Sequence, residues 1–529
     1  MIRLLPGGVA LAVLAALVGG ALGALLWAAP ELDPGALWGD AYLRHVIGFT
    51  VWQALLSTLL SVGPAIPVAR ALARRQAFPG REAVLRLFGL PLVIPTIVAV
   101  FGIVAIYGQV GLLNRLATAL GLPTWQYLYG LPGILIAHVF FNLPLAVRLL
   151  LPIWQAVPGE LWRLSAQLGM RSGQIFRLIE WPLLRQVLPG VAGLVFMLCF
   201  TSFAVVLTLG GGPAATTLEV AIYQALRFEF DLGRAVLLAL LQLGFCGVLI
   251  ALGQRLARPA PLAATAQRPH DRPDLASPGG RIADALAIAA ATALVLLPIL
   301  AVFYAGAVGP LGAVLGDPVL WSATARSLAV ALAAGALSLA LGWPLLLASR
   351  ELRFRRYRPR AAEAIEVSGS VVLVVTPLVL GTGFFVLLSP FADVFALGLA
   401  LVVVVNAVMG LPFVIRILGP AVMRVAEQHD RLCASLGIVG WNRFRLVEWP
   451  SVRRAVGLAL ALSAALATGD LSAIALFGTQ DTTTLPLLMY QRMASYQMGE
   501  AAVTALVLVS LSLGLFVVIE RSVGGRGPA

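Results

Sequence analysis

Apolar runs of about 20 residues recur along the whole chain with short polar stretches between them, and a run of that length crosses the roughly 30 Å hydrocarbon core of a bilayer as an α-helix. Lipid offers no partner to an unpaired backbone group, so such a chain is predicted to be an all-α polytopic membrane protein. Twelve spans are predicted, near residues 4–28, 46–69, 84–108, 130–154, 187–209 and 233–253, then 282–305, 323–348, 366–389, 396–420, 455–477 and 501–519. Composition agrees: 60% of the 529 residues are hydrophobic and 12% charged, with a mean hydropathy of +0.94, more apolar surface than one soluble core buries.

The net charge of +13 does not point to nucleic acid, because of where the charges lie. All 37 basic residues are arginine. With Arg3 placed in the cytoplasm and the spans alternating, only Arg44, Arg115, Arg227, Arg234, Arg326 and Arg492 fall on the other side. The positive-inside rule then puts both termini in the cytoplasm. Arg3 ahead of the first apolar run has the look of a secretory signal, but the run is long and its counterpart at 282–305 is internal, so it is read as a retained helix. Cys199, Cys246 and Cys433 are an odd number and give neither a disulfide framework nor a metal spacing.

The chain divides in two at a stretch rich in Pro, Arg and Ala, residues 255–281, predicted to be an exposed, flexible cytoplasmic linker. The first unit covers residues 1–254, with a permease core near 46–254; the second covers 282–529, with a core near 322–519. From Leu143 to Gln186 and from Leu411 to Arg454 the units align without a gap at an offset of 268, with Arg148 on Arg416, Arg163 on Arg431, Leu168-Gly169 on Leu436-Gly437 and Glu180-Trp181-Pro182 on Glu448-Trp449-Pro450. "TTLEVAIYQ" from Thr216 matches "TTLPLLMYQ" from Thr483 in the outer loop after each fifth span. An even number of spans separates the units, so the repeat is parallel, with a pseudo-twofold axis along the membrane normal and a path between the halves.

The repeated stretch lies in a loop of roughly 30 residues between the fourth and fifth spans, long for a connector and therefore a candidate site. Pro158 suits a helix start, Leu161, Leu164 and Leu168 share one face, and Gly169 permits the turn that ends the helix. A second amphipathic piece is predicted to run to Trp181, where Pro182 stops it. A short helix, a turn and a short helix on the cytoplasmic surface, once per half, suit two copies of a cytosolic partner. Interfacial anchoring of Arg and Trp is the alternative, and duplication in register weighs against it.

A small residue, Leu-Gly, and thirteen positions from that Gly to a Pro resemble the EAA loop of binding-protein-dependent ABC importer permeases. The resemblance implies that Arg163, Ala166, Leu168, Gly169 and Pro182, and likewise Arg431, Ala434, Leu436, Gly437 and Pro450, form two ATPase-coupling loops. Arg163 and Arg431 stand where that pattern has Glu, and Leu164-Ser165 and Leu432-Cys433 where it has two alanines. "YLRHVIGFTVWQALLS" (42–57), "PAIPVARALARR" (64–75), "AHVFFNLPLAVRLLL" (137–151), "AQLGMRS" (166–172) and "GGGPAATTLEVAIYQAL" (210–226) resemble the fused thiamine permeases of Gram-negative bacteria. That likeness implies two tandem six-helix type I importer units in the inner membrane, two copies of a separate cytoplasmic ATPase, a periplasmic thiamine-binding protein, and transport of thiamine and its phosphate esters by alternating access. It also implies no cofactor in this chain, ATP and magnesium being bound by the ATPase, and no enzymatic activity. The chain has no lysine and nothing like a Gly-rich phosphate loop.

Thiamine's thiazolium cation is suited to a carboxylate or aromatic faces beside the path. Asp470, in "ATGDLSAIALFG", is a pathway candidate because an intramembrane acid is costly; the alternative is that it bonds backbone at a helix break near Gly469. His138 and Asn406 occupy equivalent places and are a second candidate pair, with a polar bond between packed helices as the alternative. Thr217, Tyr223, Thr484 and Tyr490 in the outer loops are candidate residues of a periplasmic gate or of a seat for the two lobes of the binding protein, against a loop that merely turns into a re-entrant or surface helix. Glu363 and Glu366 are read as paired with nearby arginines. A fused ferric-iron permease shares this architecture. A proton-coupled secondary transporter requires more acids or histidines in the bilayer, and the four scattered histidines, His45, His138, His270 and His429, give no metal or nucleophile site for a membrane enzyme.

Overall fold

The computed structural model describes residues 4–28, 39–124, 127–256, 272–275, 277–370 and 375–524. Arg3, His270 and linker residues 257–271 and 276 lie outside the described residues. The described residues are helical with no strand. The first half contains α1 (Leu5–Ala28), α2 (Ala41–Arg74), α3 (Arg81–Leu87), α4 (Thr96–Tyr107), α5 (Leu131–Gln155), α6 (Gly159–Gln167), α7 (Ser172–Phe200), α8 (Ala204–Leu209), α9 (Leu218–Gln224) and α10 (Leu232–Gly253). The second contains α11 (Pro278–Val308), α12 (Pro318–Arg350), α13 (Pro359–Ser370), α14 (Pro377–Leu388), α15 (Gly398–Ser435), α16 (Gly440–Thr468), α17 (Ser472–Phe477), α18 (Leu485–Ala494) and α19 (Met498–Gly524). Eleven helical stretches among the described residues are long and apolar enough to cross a membrane, and α14 is a shorter apolar one.

The repeat is visible in the capping chemistry. Asp40 and Asp317 cap α2 and α12, Asp40 accepting from the Tyr42 and Leu43 N–H groups and Asp317 from that of Val319. Thr50 of α2 accepts through its hydroxyl from the Leu218 N–H at 3.0 Å, and Ser327 of α12 does the same for the Leu485 N–H at 2.8 Å. One hydroxyl on the second span of each half thus pins the start of α9 or α18, satisfying a helix N-terminus that has no intrahelical partner.

The two halves exchange their leading spans. Helix α1 packs against α12 and α14 of the second half, and α11 packs against α2 and α4 of the first as well as α19 of its own. Small residues permit the approach: a Cβ at Gly7 would overlap Ala348, and one at Gly102 would overlap the Pro298 carbonyl.

Four expectations change. The spans predicted at 84–108 and 366–389 are broken, by Pro95 ahead of α4 and by Thr376-Pro377 ahead of α14, because proline has no N–H to continue the preceding turn. The coupling stretch is a separate short helix only in the first half: Pro158 stands at its N-terminus, whereas Ala426 at the equivalent place lets α15 run on from the fourth span for 38 residues. Pro182 and Pro450 do not stop a helix. Each follows a π-helical turn, Phe176–Glu180 or Phe444–Glu448, and sits in the first α-turn after it, so α7 and α16 continue into the fifth span. The end of the linker is not an exposed tether, since Arg272 and Asp274 are buried against the first coupling stretch.

Candidate functional site

Each helix that the resemblance marks as a coupling helix ends in the same turn. Gly169 (φ +60°) follows α6 and Gly437 (φ +65°) follows α15, both left-handed. The Met170 N–H reaches the Ser165 carbonyl at 3.0 Å and the Gly169 N–H the Ala166 carbonyl at 3.1 Å; Ile438 to Cys433 at 2.9 Å and Gly437 to Ala434 at 3.3 Å repeat the pattern. These paired bonds form a Schellman motif, which needs a residue without a Cβ penalty at the left-handed position.

The turn fixes which face is presented. Trp162 and Ser165, and Cys433 in the second half, are buried, while Leu161, Leu164 and Leu432 are exposed. Leu168 and Leu436 are 67% and 63% exposed, and Ala166, Ala434, Gly169 and Gly437 lie beside them in the open. Arg163 and Arg431 are exposed and form no ion pair among the described residues. Pro182 is half-buried and Pro450 exposed at the start of the fifth spans. An apolar knob flanked by arginine thus stands exposed at the end of a packed helix in each half.

Ion pairs that sequence reasoning missed hold both loops. Glu180 is fully buried; Arg70 of α2 donates to it through Nε at 2.6 Å, and the Arg272 guanidinium lies against its other oxygen. Arg70 also donates to the Ser172 carbonyl at 3.1 Å and stacks over Phe176. In the second half, Arg350 at the end of α12 donates to Glu448 and Asp430, both at 2.8 Å, and Arg443 joins the same two acids. The signal was present: the acid is the first residue of the repeated Glu-Trp-Pro. Asp274 meets Arg272, Arg74 and Arg70. Burial works against its charge, yet Arg272 foremost, with Arg74 and Arg70, holds its carboxyl below the ordinary carboxylate range. Glu366 pairs with Arg353 at 3.2 Å; no ion pair is recorded for Glu363 among the described residues.

Inside the apolar layer the fifth span of each half is interrupted at equivalent places, residues 201–203 and 469–471. Asp470 caps α17: its two carboxylate oxygens accept from the Ser472 and Ala473 N–H groups, each at 3.1 Å. The break abuts the break of the other half's third span, since a Cβ at Gly469 would lie 2.9 Å from the Pro95 Cα. Asn406 lies beside Asp470. His138 does not join them; its Nδ1 is 2.8 Å from the Ser57 hydroxyl within the first half. Glu219, which sequence reasoning passed over, is buried between Gln242, which donates to it at 3.1 Å, and Thr376 of the second half. Its mark in the sequence is a lone acid inside the apolar "LEVAIY".

On the opposite side from the coupling loops, the outer stretches are buried helices rather than polar loops, because Leu218, Val220, Ile222, Leu485, Leu488 and Met489 require cover. Thr217 and Thr484 are buried at the N-termini of α9 and α18. Tyr223 is buried against Phe203 and near Tyr490, its equivalent in the other half. Arg227 reaches across as well, donating to the Gly478 carbonyl at 2.7 Å and lying over Phe395. The structure thus sets Asn406 beside Asp470 and leaves the two tyrosines within electrostatic reach of one another, while His138 bonds Ser57 and not Asn406. No group of three or more His, Cys, Asp or Glu able to hold a metal occurs among the described residues.

Comparison with known proteins places this architecture. Residues 65–259 match the family described as the binding-protein-dependent transport system inner membrane component. The thiamine transport system permease protein of Brucella abortus (strain 2308) is 46% identical over 525 residues, 99% of this chain and 96% of the relative. That of Escherichia coli (strain K12) is 47% identical over 522 residues, 98% and 97% of the two chains. That of Haemophilus influenzae is 41% identical over 505 residues, 95% and 93% of the two chains.

Proposed function

This chain belongs to the binding-protein-dependent inner membrane components, among the thiamine transport permeases, and from that membership we propose that it is the transmembrane permease subunit of an ATP-driven thiamine importer working by alternating access. It is a multi-pass membrane protein and a permease subunit, which leaves nucleotide chemistry to a separate ATPase. In this proposal two ATPase subunits bind ATP and magnesium, and each grips one coupling loop. A binding protein delivers thiamine or its phosphate esters to the periplasmic side. Both termini and both coupling loops are cytoplasmic, in keeping with the arginine distribution.

The observation that carries the reading is the duplicated exposed face, Leu164-Leu168 and Leu432-Leu436, on turns of identical geometry anchored to the second span of each half. Closure of the ATPase dimer moves both loops together. Arg70–Glu180 and Arg350–Glu448 pass that motion to α2 and α12, whose Thr50 and Ser327 hold α9 and α18 at the other face. The halves rock about the pseudo-twofold axis and the path opens alternately. We place the path at the meeting of the broken spans, beside Gly469, Pro95 and Asn406, with Tyr223 and Tyr490 at its periplasmic end.

The test is uptake of labelled thiamine into proteoliposomes containing this chain and its ATPase, with binding protein outside and ATP inside. Accumulation that requires ATP, the ATPase and the binding protein supports the proposal. Accumulation driven by a proton gradient without the ATPase, or transport of ferric iron in place of thiamine, overturns it.

A further inference from the structure

The two coupling stretches are anchored by the same chemistry but assembled from different parts of the chain. The second is self-contained: Asp430 and Arg443 lie within it and complete the cluster around Glu448 and Arg350. At the offset of 268 that aligns the halves, Asp430 corresponds to Trp162 and Arg443 to Ile175, so the first stretch has neither the second acid nor the second arginine at those places. The linker supplies them. Arg272 takes the arginine's place against Glu180 and lies over the Trp162 ring, its Cζ 4.2 Å from the ring centre. Asp274 takes the acid's place, 3.1 Å from Arg272 Nε, 3.4 Å from Arg74 Nε and 3.2 Å from the Ser172 hydroxyl. Arg74 also donates to the Asp274 carbonyl at 2.6 Å and Arg75 to the Leu275 carbonyl at 3.2 Å. The side chains of Arg272 and Asp274 are 3% and 0% exposed.

We propose that Arg272 and Asp274 are positioning residues for ATPase coupling in the first half: the linker is a clasp that holds the first coupling helix, while the second is held from within. The clasp also joins the halves, because the residues that follow it lead directly into α11, whose Asp284 pairs with Arg75 at 3.0 Å. The two ATPase contacts are therefore unequal. Anything that pulls on the linker acts on one coupling helix and not the other. A lysine replaces Arg272 only in part, since the site uses a cation that lies over Trp162 and reaches two carboxylates at once.

This inference rests on the coupling-loop reading, and its test has one arm independent of it. Hydrogen–deuterium exchange is measured on the full chain in nanodiscs without ATPase. Arg272→Ala/Asp274→Ala is expected to speed exchange over residues 159–182 by at least about tenfold and to leave 427–450 unchanged, because a buried pair is broken on one side only. Adding Trp162→Asp and Ile175→Arg, which rebuilds the internal arrangement of the second half, is expected to restore slow exchange. Arg272→Lys is expected to fall between wild type and the double alanine variant. Unchanged exchange at 159–182, or an equal rise in both stretches, overturns the clasp. In the second arm, with ATPase and binding protein present, the double variant is expected to transport several-fold less thiamine per ATP hydrolysed. If the wild-type chain does not couple to an ATPase, that arm refutes the functional reading while the exchange arm still decides the clasp.

Discussion

Arg70 Nε lies 2.6 Å from Glu180 Oε2, joining the second span of the first half to a residue 110 positions later at the far end of the coupling loop. Removing the acid takes one of the two carboxylates from a buried cluster and leaves Asp274 alone to face Arg70, Arg74 and Arg272, a loss of about 3 kcal/mol. Glu180→Ala is therefore expected to lower the thermal midpoint clearly and to abolish stimulated ATPase activity. Glu448→Ala is expected to be milder, because Asp430 is left with two arginines, Arg350 and Arg443, instead of three, and Glu448 is 15% exposed where Glu180 is fully buried. Tryptophan fluorescence melting in nanodiscs checks the order of the two variants.

Gly169 and Gly437 have open space where a Cβ would point, so the cost of substitution lies in the backbone and not in a clash. Left-handed φ costs a residue with a Cβ about 1–2 kcal/mol, more when it is β-branched. Gly169→Val and Gly437→Val are expected to insert normally yet uncouple transport. Thiamine uptake and membrane content, measured together, check this; full uptake in both variants is the contrary result.

Asp470 fills both carboxylate oxygens with backbone N–H groups of α17, the geometry of a helix cap. Asp470→Asn keeps an acceptor and is expected to hold uptake within about twofold of wild type, while Asp470→Ala loses about 1 kcal/mol of cap. A large rise in the apparent KM for thiamine in the Asn variant, with melting unchanged, assigns the charge to the cation instead.

Tyr223 on α9 and Tyr490 on α18 occupy equivalent places in the two outer stretches, within electrostatic reach of one another. A short thiol crosslink between Tyr223→Cys and Tyr490→Cys, made in a background without the three native cysteines, is expected to block uptake until it is reversed. Unaltered uptake in the crosslinked protein removes these residues from the gate.

Much of this architecture is legible in the sequence because it is written in local patterns. Apolar length gives the spans, the gapless repeat gives the two halves, and Leu168-Gly169 and Leu436-Gly437 give the turns. The breaks at Pro95 and Thr376 were hidden because a broken span has the same apolar content as an intact one. Pro182 misled in the other direction, since a π-turn absorbed it. The anchors were out of reach for a different reason: Arg70 and Glu180 are 110 residues apart and Arg350 and Glu448 98 apart, and a periodicity argument does not join them. The linker end read as a tether because its composition is polar; its Arg and Asp are buried as a set of mutually compensating charges.

The most direct measurement of the central claim is photocrosslinking from Leu168 and, in a separate variant, from Leu436 in the assembled transporter. A photoreactive side chain at either position is predicted to give a covalent adduct with the ATPase subunit, because both leucines project from equivalent turns. Adducts with lipid alone, or with the ATPase from only one of the two positions, contradict the claim that each half is gripped by its own ATPase.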